Sequence, residues 1–82
     1  MDAVRTNAID EIAEFLLTAP TLEQVIAFKA SAGVQERLDD LLERNKTGQL
    51  TADEHEELDE TLQLDLFVQF LKAKAKVKLA NK

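Results

Sequence analysis

Apolar residues recur at three- and four-residue steps along most of this chain, and the polar and turn-forming positions between them mark where each run stops. Val4, Ala8, Ile12, Phe15 and Leu16 form one stripe with Asp10, Glu11 and Glu14 facing outward, which predicts a helix from about Ala3 to Leu17. Thr18-Ala19-Pro20 ends it, because proline brings no amide hydrogen to continue the ladder. Thr21 has the character of an N-cap, with Gln24 three residues on as its reciprocal partner, and opens a short helix through Leu22, Val25, Ile26 and Phe28. Ser31 caps the next helix, in which Val34, Leu38, Leu41 and Leu42 make one apolar stripe and Gln35, Glu36, Arg37, Asp39, Asp40, Glu43 and Arg44 cover the rest. It closes on Asn45-Lys46-Thr47-Gly48, with cations against the negative end of the helix dipole and a glycine where a left-handed residue is wanted.

The fourth helix has the clearest start: Thr51 as N-cap, Glu54 as its capping-box partner and acids in the first turn. No glycine or proline interrupts from Ala52 to about Leu79, which at about 1.5 Å per residue gives a helix of about 42 Å. A compact globule of this length has a radius of gyration of roughly 12 Å, so such a helix must overhang its own domain or lie along a partner. The final stretch, Leu71 to Leu79, alternates apolar and lysine with period two, the signature of a strand. Ala, Lys and Leu are strong helix formers and nothing else in the chain offers a strand to pair with, so the helix is expected to continue. Its alternation leaves no wide apolar face, and the segment is expected to be an exposed arm that orders best against something else. These elements define an all-α fold: a small bundle in one domain (1–82), built on an αα-hairpin of residues 32–47 and 52–79 joined at Gly48. Two N-terminal helices cover the hairpin, and residues 72–82 form a basic C-terminal arm.

The segment Leu62 to Leu71 differs from the other stripes. Only Gln63, Asp65 and Gln69 are polar there, so its apolar side chains wrap more than one helical face. One reading is that the first and third helices cover both sides. The sharper one assigns Leu62, Leu66, Phe67, Phe70 and Leu71 to a homodimer interface made by two such helices side by side.

Size and charge sharpen this picture. A domain of 82 residues hides only roughly 60 % of its unfolded surface, so a second copy adds burial where it is scarce. Net charge is −6, divided unevenly: residues 1–71 hold all 16 acids against five bases, net −11, whereas residues 72–82 hold five lysines and no acid, net +5. An acidic body repels phosphate backbones, so any nucleic-acid contact would rest on Lys72, Lys74, Lys76 and Lys78, which lack interleaved aromatics for base stacking. They also lack the bulky apolar neighbours a membrane surface would need, and serve the helix C-terminal dipole whatever else they do. Nucleic-acid and membrane partners are therefore not expected. With no cysteine, no run long enough to span a bilayer and no signal pattern at Met1 to Arg5, the expected location is cytoplasmic.

Candidate chemistry is sparse. His55 lies among Asp53, Glu54, Glu56, Glu57 and Asp59, and a His and a carboxylate one turn apart can share a metal; but acids in the first turns of a helix are expected from the dipole alone. His55 is also placed to pack on Leu50 across the helix start. Adjacent carboxylates such as Asp39/Asp40 and Glu56/Glu57 point about 100° apart on a helix and cannot address one substrate. No glycine-rich phosphate loop and no nucleophile with its base are present, so the expectation is a protein that is not an enzyme, with no cofactor and no metal.

The stretch Ser31-Ala32-Gly33-Val34-Gln35-Glu36-Arg37-Leu38, Asn45-Lys46-Thr47-Gly48-Gln49-Leu50-Thr51, Glu54 and Leu71-Lys72-Ala73-Lys74-Ala75 resembles the core of about 50 residues shared by a family of small uncharacterised bacterial proteins. The turn from Asn45 to Thr51 carries most of the likeness; Ala30 departs from the pattern, and the first 20 residues carry none of it. That family is common in photosynthetic bacteria and often encoded beside small nuclease- or toxin-like genes. The resemblance implies an accessory or antitoxin-like protein acting with such a partner.

Overall fold

The structure, a computed structural model, describes residues 8–81. It contains four helices and, among the described residues, no strand: α1 (Ala8–Leu17), α2 (Leu22–Ala27), α3 (Ala32–Lys46) and α4 (Ala52–Ala80). The expected start of the first helix, residues 3–7 with Val4, lies outside the described residues. The alternating segment is helix, as its composition requires.

Each helix from α2 onward begins where its own side chains satisfy the amides that the ladder leaves open. The Gln24 amide donates to Thr21 Oγ1 (3.1 Å) while the Thr21 amide donates to Gln24 Oε1 (2.9 Å). The same reciprocal box joins Thr51 and Glu54, at 3.1 and 3.0 Å. Ser31 Oγ accepts from the Val34 amide (3.2 Å), and the Ser31 amide donates to Glu11 Oε1 (3.0 Å), which ties the entrance of α3 to α1. Gly33 lies inside the first turn of α3, two residues after the Ser31 cap.

The stops are equally local. The Gln49 amide donates back to the Arg44 carbonyl (2.9 Å) and the Gly48 amide to the Asn45 carbonyl (3.1 Å), the paired bonds of a Schellman ending. Gly48 holds the left-handed backbone this needs, at φ 71°. At the end of α1 the same conformation falls on Ala19, at φ 55°, just before Pro20. An alanine there carries a steric cost that glycine would not.

All the principal helix–helix contacts are made with α4, most extensively by α2, then α3 and α1. The molecule measures 48 × 26 × 18 Å, with a radius of gyration of 14.6 Å against the roughly 12 Å of a compact globule. The long helix sets that length. Leu41 is fully buried, with Val34, Leu58, Ala75 and Ala8 nearly so, whereas Leu42, on the expected α3 stripe, is over one-third exposed. Between α1, α2 and α4 the Phe15 and Phe28 rings meet at 4.6 Å with a tilt of 39°, enclosed by Ile12, Leu16, Val25, Val68 and Leu71.

The segment expected to form an exposed arm is exposed at Lys74, Lys76, Val77 and Lys78 but not throughout. Ala75 is only 4 % exposed and Leu79 is half-buried, so the lysine-bearing segment is a helix with one covered side. Of the other helices, α2, with its caps closed on themselves, lies most extensively along α4.

Candidate interaction surface

At about 100° per residue, the side chains of α4 sort into two opposed faces. Glu57, Leu58, Thr61, Leu64, Val68, Leu71 and Ala75 cover one broad arc and are buried or half-buried. Leu62, Leu66, Phe70, Ala73 and Val77 occupy an arc of about 80° on the other side. There the large side chains stand open: Leu62 38 %, Leu66 69 %, Phe70 60 % and Val77 59 % exposed, with Phe67 at the margin at 44 %.

The sequence-predicted set therefore divides. Leu62, Leu66, Phe67 and Phe70 lie on or beside the open face, but Leu71 turns into the cluster with Phe15, Val25 and Phe28 and belongs to the chain's own core. Val77, grouped by sequence with the arm, extends the open stripe by two turns. Of the lysines, Lys72 is half-buried beside a mixed cleft of about 360 Å³ lined by Ile12, Leu38, Leu64 and Val68 together with Glu11, Gln35 and Asp65. Lys74, Lys76 and Lys78 are exposed, and Lys74 Nζ sits 5.7 Å from the centroid of the Phe70 ring, which spreads a cation over the edge of the apolar stripe.

Opposite the stripe, about half a turn around α4, an ionic clasp joins α3 to α4. Arg37 Nε and Nη2 donate to Glu57 Oε2 and Oε1 at 2.9 and 2.8 Å, the bidentate geometry that suits a guanidinium to a carboxylate. Next to it Arg44 donates to both oxygens of Glu54, at 2.9 and 2.8 Å, and to Asp40 Oδ2 at 3.0 Å from Nη2. The hydrogen bonds from Arg44, then from the Thr51 amide, lower the Glu54 carboxyl from its ordinary 4.5 to about 2. The hydrogen bonds of Arg44 to Glu54 and Asp40 raise its guanidinium, and that to Glu57 raises the Arg37 guanidinium. From the sequence alone Arg37 and Arg44 belong to a solvated face. The pairing signal lies in the hairpin, where residues ten and twenty apart become neighbours across one turn.

His55 is exposed, and among the described residues no three His, Asp or Glu side chains gather as a metal site would require. No described helix is long and apolar enough to cross a membrane. No family model, curated protein or solved structure matches the chain.

Proposed function

We propose that this protein is a non-enzymatic protein–protein interaction module that pairs with a second copy of itself through the outer face of α4. The carrying observation is the open stripe: Leu66 and Phe70 are more than half exposed on a face opposite the one the other helices cover. Large apolar side chains aligned along one face, rather than scattered, mark a surface that is dry in the working state. With about 200 Å² for a large side chain, Leu62, Leu66, Phe67, Phe70 and Val77 expose roughly 500 Å² per subunit, so two copies that covered all of it would bury about 1,000 Å² from these side chains. That is the lower end of specific interfaces and fits a dimer dissociating in the micromolar range.

Sedimentation over a dilution series tests this. The expected result is a dimer at high concentration, with Leu66→Asp or Phe70→Asp weakening it by at least about 100-fold while helix content is retained, as expected for a central anchor. A protein that stays monomeric at about 100 µM would refute the reading.

A second reading, an antitoxin-like or nucleic-acid-linked regulator acting with a toxin- or nuclease-like partner, is favoured by one observation: Lys74, Lys76 and Lys78 are exposed along the last turns of α4. It requires a mobility shift that weakens with salt and on changing these lysines to glutamate. A shift indifferent to both removes it.

A further inference from the structure

The charge order along α4 says how two copies would be arranged. Asp53, Glu54, Glu56, Glu57, Asp59 and Glu60 precede Leu62, and Lys72, Lys74, Lys76 and Lys78 follow Leu71, so the stripe lies between an acidic half and a basic half. Glu54 and Glu57 are engaged by Arg44 and Arg37 on the far side of the helix. At about 100° per residue, Asp59 falls in line with Val77 and Glu56 in line with Lys74, so the stripe and its margin carry acids at one end and lysines at the other.

Resting on the pairing proposed above, we infer that the two α4 helices run antiparallel, crossing near Leu66 and Phe67. A two-fold axis perpendicular to both helices brings each margin against its own reversed copy. In that arrangement Leu66 meets the second Leu66 and Leu62 meets Phe70. Along the axis the same register sets Asp59 within about 1.5 Å of Lys74 and Glu56 within about 3 Å of Lys78 at about 1.5 Å per residue, with Lys78 about 40° further around its helix than Glu56. These offsets are well within the reach of a lysine side chain, so the apolar and ionic registers coincide. A parallel pair would instead gather the acidic ends of the two stripes side by side and the lysine ends likewise, and like charges gathered across an interface oppose association. Lys74 fits the antiparallel form twice over, since its ammonium already lies at the edge of the Phe70 ring that covers Leu62 of the second copy.

The chain has no cysteine, so a single introduced one reports position without background. Lys78→Cys and Glu56→Cys, both at exposed sites, are each spin-labelled in the full chain, and the distance between labels is measured by pulsed dipolar spectroscopy alongside the sedimentation mass. Antiparallel helices crossing at Leu66 separate the two labels at position 78 by about 36 Å and the two at position 56 by about 30 Å, at 1.5 Å per residue. Parallel helices about 10 Å apart would instead hold both pairs close, so distances under about 20 Å at both positions in a dimer would overturn the antiparallel arrangement while leaving the pairing itself intact. Monomeric mass with no dipolar coupling would overturn the pairing, and this inference with it.

Discussion

The Arg37–Glu57 clasp makes a prediction whose size follows from its surroundings. The Glu57 side chain is 5 % exposed and that of Arg37 22 %, so the carboxylate is almost wholly withdrawn from water and the guanidinium mostly so. Arg37→Met removes both bonds at 2.8 and 2.9 Å and leaves a buried carboxylate without this cation. Breaking a fully buried pair this way costs about 3–5 kcal/mol, and partial water access on the arginine side lowers this to about 2–3 kcal/mol. The whole domain is worth only about 4–12 kcal/mol at 0.05–0.15 kcal/mol per residue, so the loss is a large share. It should lower the melting temperature by about 10–20 °C. The double variant Arg37→Met with Glu57→Met should recover to within about 1 kcal/mol of the parent, because removing both charges removes the desolvation cost along with the attraction. The assay is a double-mutant cycle by urea denaturation followed by circular dichroism, at one fixed concentration so that association does not shift the baseline. If the single substitutions each cost under about 0.5 kcal/mol, or if the double costs their sum, the clasp is not what joins α3 to α4.

Other outcomes follow from the same structure. Glu54 has a folded pKa of about 2, below its ordinary 4.5, so its share of stability is full above pH 4.5 and is lost as pH falls toward 2. Thermal melts over that window should show the fall, and Glu54→Gln should flatten it; an unchanged acid limb in the variant would refute the assignment. Ala19→Gly should raise stability by about 0.5–1 kcal/mol by relieving the left-handed alanine, and Gly48→Ala should lower it by about 1 kcal/mol through the backbone alone, since nothing lies within 4 Å of the added methyl. Opposite signs in a pair of melting curves support both, and equal signs would reject the backbone account.

What could be read from the residues divides along sequence distance. The caps at Thr21, Ser31 and Thr51 and the left-handed stop at Gly48 are chemistry between residues three to five apart, and each is found where its pattern places it. The open stripe was legible in part, because a helix with apolar residues on more than one side must leave a side uncovered when few partners exist. Which residues share a side was harder. Leu71 lies one residue beyond Phe70, yet about 100° around the helix, and only the position of α1 and α2 decides that it turns inward. Ala75 gave no signal, since alanine suits a surface or a tight contact equally. Neither did Arg37 and Glu57, because a charge on a helix reads as solvated until another helix is known to cross it. Ala19 was silent for a related reason: its strain follows from where α1 must turn, and nothing in an alanine announces it.

The dependence of α1, α2 and α3 on α4 also bears on how the molecule comes into being. Translation delivers the chain from its amino end, so the three shorter helices emerge before the element they lie against. Each of α2 and α3 carries its own capping, yet α2 is six residues long, far below the length at which an isolated helix persists in water. Consolidation must therefore await synthesis of α4. Until then the nascent polypeptide offers Phe15, Val25 and Phe28 to whatever holds emerging chains, and acquisition of the native state becomes a late, concerted event rather than a progressive one.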